Sequence, residues 1–349
     1  MSSSRRRLTP VLLLAALAAV LGTLAPPALA QSSKPVTLRL GYFPNLTHGS
    51  AIVGVEKGFF KQALGSNKLS LSTFNAGPAA TEALLSGAID ATYLGPNPAI
   101  NAYVKSKAVK IISGAASGGA LLVVGESIGS PGELKGRKIA TPQLGGTQDV
   151  AARYWLKSKG LKTDTSGGGD VSIVPQDNGQ TLDAFKSHSI AGAWVPEPWA
   201  TRILQEAGNA RVLVDERSLW PGGDFVTTHL IVSTKFLKDH PDVVKQLLLG
   251  QLRSNQYIHT NPKEAKAAID KGIERVTGKG ISSKTIDAAW KNIDFTNDPI
   301  ASSLQTSADH AVDVGLLARP DLKGIYELGP LNSLLRYFKQ PTVSDAGLG

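Results

Sequence analysis

Residues 88–98 read AIDATYLGPNP, and residues 189–198 read SIAGAWVPEP. Each is an apolar run of strand length halted by paired prolines, and the second follows the first by about a hundred residues. The likeness extends outward in one register. Glu82-Ala83 faces Asp183-Ala184, Ser86 faces Ser187, Ile89 faces Ile190 and Tyr93 faces Trp194. Further out, the loop 44–48 (PNLTH) faces 143–147 (QLGGT). The order of elements agrees as well. Strands are expected at 36–42, 69–74, 88–94, 109–115 and 120–124, then at 137–141, 171–174 and 190–195. Helical runs at 78–86, 147–159 and 180–186 separate them. Alternating strands and helices predict an α/β fold with a mostly parallel sheet in each half. A repeated unit predicts two similar lobes whose loops, at the carboxyl ends of strands, face one cleft.

The rest of the chain completes this plan. A strand VTTHLIVS follows Phe225, and helical patterns cover 241–257, 262–277, 283–292 and 300–314. These helices are expected to pack on the first lobe. The expected organisation is lobe 1 from 36–122 plus 230–340 and lobe 2 from 127–224, with hinge crossings at 120–126 and 225–230. The small, polar segment 341–349 is expected to fray.

Arg5, Arg6 and Arg7 precede an apolar run and the small-x-small site Ala28-Leu29-Ala30. Residues 1–30 therefore read as a cleaved export signal, with a faint twin-arginine character around Ser4–Leu8. The expected location is periplasmic or secreted. The chain carries +9, of which those arginines supply three, and has no Lys/Arg cluster, which argues against nucleic acid as a partner. It has no cysteine, which excludes thiol catalysis, Cys-ligated metal and a lipid-modified cysteine anchor. Its six histidines lack metal-ligand spacing, so neither a metal nor a cofactor is expected.

Three segments carry candidate chemistry. Gly145-Gly146-Thr147 opens a helix, where unpartnered amides and a partial positive charge suit an anion. The turn lacks the lysine of a phosphate loop and the third glycine of a dinucleotide loop, which favours a small oxyanion. Asn45, Thr47 and His48 occupy the matching loop of the first lobe. Trp194-Val195-Pro196-Glu197-Pro198-Trp199 brackets a carboxylate with aromatics, and suggests a cleft wall with Tyr93 opposite. Gly125-Glu126-Ser127-Ile128-Gly129 fits the nucleophile-elbow pattern of an esterase. However, Ser130-Pro131-Gly132-Glu133 predicts a capped single turn where an elbow needs a long helix.

These segments, with EKGFFK and THLIVSTKFLKDHPDVV, resemble the substrate-binding proteins of ABC importers, in the branch serving aliphatic sulfonates, taurine and nitrate. The resemblance implies a two-lobed periplasmic binding fold of the two-crossover type (type II). It also implies a monomer that captures a small-molecule solute and delivers it to a membrane permease with its cytoplasmic ATPase. By position, its binding loops fall on Asn45, Thr47, His48, Gly77, Pro78, Gly95, Pro96, Asn97, Ser117 and Gly118. In the second lobe they fall on Gln143, Gly145, Gly146, Thr147, Gln148, Trp194 and Glu197. Thr227 and Thr228 lie at the second crossing. Gly87-Ala88-Ile89-Asp90 keeps the family's Gly-x-Ile-Asp, whereas His188-Ser189-Ile190-Ala191 departs from it. The expected ligand is an aliphatic sulfonate, its head on the Thr147 turn, its organic part between Tyr93 and Trp194, and its tail on Glu197. A thiamine-pyrimidine precursor stacked on Trp194 is the alternative. Related enzymes that make that pyrimidine carry a cysteine-rich motif that is absent here.

Overall fold

The computed structural model describes residues 34–349; the expected export signal, 1–30, lies outside the described residues. Eleven strands form two sheets among the described residues. In chain order they are β1 (Thr37–Tyr42), β2 (Lys68–Thr73), β3 (Ala91–Leu94), β4 (Val109–Gly118), β5 (Ala120–Gly125) and β6 (Lys138–Thr141). They continue with β7 (Ser172–Pro175), β8 (Gly192–Pro196), β9 (Ala210–Asp215), β10 (Val226–Ser233) and β11 (Ile293–Phe295). The first sheet has the order β2-β1-β3-β10-β4-β11 and the second β7-β6-β8-β5-β9. Apart from the short β11, the two orders correspond strand for strand, so the sequence repeat is an architectural repeat. Helices flank both sheets, as a mixed α/β fold requires.

One expectation needs correction. The sheets are mixed rather than mostly parallel. β1 runs parallel to β2 and β3, and β6 runs parallel to β7 and β8. β10 is antiparallel to β3 and β4, and β5 is antiparallel to β8 and β9. The cause is an exchange of strands. β4 ends where the sheets meet, and β5 starts there and runs away inside the second sheet. β10 does the same in the first sheet after the chain returns. Each exchanged strand therefore opposes the neighbour that runs toward the meeting point.

The chain passes from the first sheet to the second at Gly118-Gly119, and back between Asp215 and Val226. Gly118 and Gly119 have φ of 70° and 74°, a left-handed conformation that side chains disfavour. A Cβ at Gly118 would also stand 2.6 Å from the Asn292 carbonyl oxygen.

Core packing follows strand period. On β5, Leu122 and Val124 join Trp155, Ile139 and Trp194 on one face of the second sheet. Leu121 and Val123 join Leu182, Phe185 and Ile203 on the other. Alternation puts successive side chains on opposite faces, so a strand covered on both sides reads as an unbroken apolar run. The helices Pro241–Thr260 and Pro262–Thr277 pack against Gly49–Glu56 beside the first sheet. Among the described residues, no helix is long and apolar enough to cross a membrane.

β9, β11 and the helices Trp199–Glu206, Thr234–Asp239 and Gly329–Tyr337 are additional to the sequence expectation. The segment 341–349 does not fray. Val343 N donates to Asn332 Oδ1 at 2.9 Å, Asn332 Nδ2 donates to the Val343 carbonyl at 3.0 Å, and Gly324 N donates to the Leu348 carbonyl at 2.9 Å. Val343 and Leu348 pack against the first core, and this apolar anchoring outweighs the polar composition.

Candidate functional site

A small cavity lies where the loops of the two sheets meet. Its volume is about 30 Å³. A single water needs roughly 10–15 Å³ by the same kind of measure, so the space fits a compact polar group. The first-sheet side of its lining includes Phe43, Asn45, Thr47, His48, Asn75, Ala76, Gly77, Gly95 and Pro98, with Thr227 and Thr228 from β10. The second-sheet side supplies Pro142, Gly146, Thr147, Gln148, Asn178 and Pro196. No lining side chain carries a charge.

Four helices begin at this cavity, two from each half: Gly77–Leu85, Pro96–Ser106, Thr147–Ser158 and Asn178–Lys186. Their N-cap residues are Ala76, Gly95, Gly146 and Asp177, and none makes a side-chain cap. First-turn amides have no acceptor within their own helix, and the helix dipole places partial positive charge there. Elsewhere the chain does cap its helices: Ser233 accepts from Phe236 N, and Ser282 accepts from Thr285 N.

Unmet hydrogen bonds concentrate at the same place. Thr147 Oγ1, Thr228 Oγ1 and Asn178 Oδ1 are buried without a partner in the chain, and all three residues line the cavity. Buried polar atoms are nearly always paired, so three orphans around one small space mark a place for hydrogen-bonding groups from outside the chain. His48 adds a directed donor. Phe43 N donates to His48 Nδ1 at 3.2 Å, so Nδ1 is the acceptor and the proton sits on Nε2. Burial lowers the His48 pKa to about 3, which keeps the ring neutral.

The Gly-Gly-Thr turn is held from behind. Asp149 Oδ1 accepts from Thr141 Oγ1 at 2.9 Å, and Oδ2 accepts from Gly145 N at 3.0 Å and Arg153 Nε at 3.0 Å. Asp149 and Arg153 are both buried, and the ion pair offsets a carboxylate that would otherwise oppose an incoming anion. Gly145 thus serves the turn's own brace and does not line the cavity.

Of the residues expected at the site, ten line the cavity: Asn45, Thr47, His48, Gly77, Gly95, Gly146, Thr147, Gln148, Thr227 and Thr228. The others are placed elsewhere, each for a visible reason. Trp194 is fully buried in the second core, edge-on to Trp155, and its Nε1 donates to Glu216 Oε2 at 2.7 Å. Tyr93 is buried behind His48 and donates to Gln251 Oε1 at 2.6 Å. Glu197 is fully buried and accepts from Thr201 N at 3.0 Å, Thr201 Oγ1 at 2.9 Å and Asn292 Nδ2 at 2.6 Å. Burial raises its pKa. The tail-binding role expected of Glu197 and the aromatic wall expected of Tyr93 and Trp194 are therefore not what these side chains do in this structure. Asn97 Nδ2 donates to the Ser307 carbonyl at 2.9 Å, and the Gly118 carbonyl accepts from Thr227 Oγ1. Pro78 and Pro96 begin helices beside the cavity, Ser117 pairs with Val226 and Asp294 in the sheet, and Gln143 lines a neighbouring cavity.

Asn75, Ala76 and Asn178 are cavity residues the motifs missed. The repeat register could have found one of them: the offset that pairs Glu82 with Asp183 also pairs Gly77 with Asn178. The Ser127 pattern leads to no elbow. β5 is followed by a single 3-10 turn, Pro131–Leu134, closed by a Ser130/Glu133 capping box.

The two halves touch directly across the cavity. Leu46 N donates to the Glu197 carbonyl at 3.0 Å, and Trp199 Nε1 donates to Asn45 Oδ1 at 2.9 Å. Gly95 admits Thr147 from the opposite half: a Cβ there would stand 2.1 Å from Thr147 Oγ1 and 3.2 Å from the Thr227 carbonyl oxygen.

This arrangement, two corresponding sheets around a small cavity of neutral donors, is shared with proteins of known kind. The model of the NMT1-like family matches residues 31–271. The chain belongs to the NMT1-like family. A Brucella abortus (strain 2308) protein described as a binding protein is 26% identical over 307 residues, covering 83% of this chain and 90% of its own. The taurine-binding periplasmic protein of Escherichia coli K12 is 27% identical over 191 residues, 54% of this chain and 57% of its own. Among solved structures, the alkanesulfonate-binding protein of Xanthomonas axonopodis pv. citri, bound to MOPS, superposes with a TM-score of 0.68 at 18% identity. That match covers 82% of this chain and 96% of the other. The fold is that of periplasmic binding proteins. This NMT1-like chain is a solute-binding protein of the ABC-import type, related to sulfonate, taurine and nitrate binders, and not an enzyme.

Proposed function

We propose that the chain captures a small organic oxyanion, an aliphatic sulfonate in the first instance, between two lobes built on the two sheets. The observation that carries this reading is the meeting of four uncapped helix N-termini and three unpartnered polar side chains around a cavity without charge. Partial positive charge and neutral donors hold an anion without requiring an arginine. The Thr147 and Gln148 amides and the Thr147 hydroxyl take the head from the second lobe, and His48 Nε2 and Thr228 Oγ1 take it from the first. The passages at Gly118-Gly119 and between Asp215 and Val226 serve as the hinge, in place of the segments 120–126 and 225–230. A ligand bridging both lobes favours the closed arrangement. The relatives support a monomer that works outside the cytoplasm and hands its solute to an ABC permease with its ATPase.

The heteroaromatic alternative needs Trp194 for stacking and Glu197 for hydrogen bonding, and both are committed within the chain. The test is calorimetry or thermal shift with alkanesulfonates, taurine, nitrate and pyrimidines. Saturable binding of an oxyanion is expected. Stabilisation by pyrimidines alone would overturn the proposal.

A further inference from the structure

Next to the inner cavity lies a second, larger space of about 650 Å³, open to solvent. The two share Asn75 and Pro142 in their linings, so they are contiguous. The outer space is lined by Pro44, Phe74, Gln143, Gln176, Asp177 and Val276, among others. Its chemistry differs from that of the inner cavity. Pro44, Phe74, Pro142 and Val276 offer apolar surface to methylene groups. Gln176 Nε2 is buried with no partner in the chain. No lysine or arginine lines the space, and its one charge is Asp177.

Asp177 is uncommitted. It is the N-cap residue of the Asn178–Lys186 helix, yet its carboxylate makes no side-chain cap. It forms no ion pair among the described residues. The next residue, Asn178, lines the inner cavity. Consecutive Cα atoms are about 3.8 Å apart, so the anionic head and the Asp177 carboxylate would stand a few bonds apart. A carboxylate this close to a site for an anion opposes simple anions unless the ligand brings a cation to meet it.

We propose that the outer space is a second subsite that reads the ligand's tail, and that Asp177 selects a short zwitterion. Such a solute has an oxyanion head and an ammonium two or three bonds away, as in an aminoalkanesulfonate. The inference rests on the oxyanion reading of the inner cavity. It assigns to Asp177 the tail-binding task that the buried Glu197 cannot perform.

The experiment compares 2-aminoethanesulfonate with ethanesulfonate by calorimetry on the mature chain and on Asp177→Asn, which keeps the size and capping capacity of the residue. The parent is expected to prefer the amino compound, and Asp177→Asn to lower that preference about five- to tenfold. The preference is also expected to shrink as salt rises, since Asp177 is exposed. If both sulfonates bind but the parent shows no preference, or Asp177→Asn leaves the preference unchanged, the second subsite is wrong and the head site stands. If neither these nor any other oxyanion binds the parent, the head-site reading fails and the subsite fails with it.

Discussion

Two segments of the second half invite comparison, the turn Gly146-Thr147 and the strand end Pro196-Glu197. Both follow central strands, both face the first half, and both carry polar side chains. Their hydrogen bonding separates them. At the turn the backbone brace is complete, but the Thr147 hydroxyl is buried without a partner. At the strand end both Glu197 oxygens are met, by Thr201 and by Asn292 from the first half. The first segment is arranged to receive a group, and the second to join the halves. Which polar groups remain unsatisfied marks the site better than which residues are polar.

The comparison can be broken most severely at the brace. Asp149→Ala leaves Arg153 buried without its partner, and is expected to destabilise the chain by about 3–5 kcal/mol in denaturant unfolding. A loss below about 1 kcal/mol would mean that the turn is not held from behind.

The strand end can be tested through pH. Burial lifts the Glu216 carboxyl, bonded to Trp194, from 4.5 to about 7. The folded chain keeps a proton there that the unfolded chain releases between those values. Its contribution to stability is full below pH 4.5 and is lost as pH rises to about 7. Glu216→Gln is expected to remove this loss, with an upper bound of roughly 2–3 kcal/mol on the change in pH dependence. Identical stability–pH curves for parent and variant would refute it.

Gly95→Ala places a methyl group against Thr147 and the Thr227 backbone. Overpacking of this kind costs about 1–3 kcal/mol, here expected as a loss of ligand affinity of roughly 5–150-fold with little change in melting temperature. Calorimetry at matched stability checks it.

The smallest effects are the sharpest contrast. Thr147→Val and Thr201→Val make the same chemical change. At Thr147 it is expected to weaken oxyanion binding by about 1 kcal/mol while leaving stability unchanged or slightly raised. At Thr201 it strips a hydrogen bond from a buried carboxylate, and is expected to cost about 1–3 kcal/mol of stability. Equal stability losses at both positions would erase the distinction.

The fold was legible because strand-length apolar runs and proline stops recur in one register, and periodicity is written directly in sequence. The cavity was legible where backbone rather than side chain makes the site, at Gly77, Gly95 and Gly146. It was misread at Trp194, Tyr93 and Glu197. Alternation along a strand says that a side chain changes face, but not which face meets the cleft, and Trp194 turned into the core. The partners that retire Glu197 also lie far away in sequence: Asn292 is supplied after the C-terminal helices begin, and no local pattern announces it. The parallel count failed for a related reason, since strand exchange between sheets is a property of the whole chain path.

Thr147, Thr228 and Asn178 have a consequence for signalling. A dry, unmatched polar group costs about 1–3 kcal/mol, and three such groups together disfavour any closure in which nothing answers them. An occupied cavity removes that cost, so the closed outline carries information about its contents. A transporter that recognises only this outline would seldom turn over on an unloaded carrier, and the chain would prevent futile cycles by its own hydrogen-bond inventory.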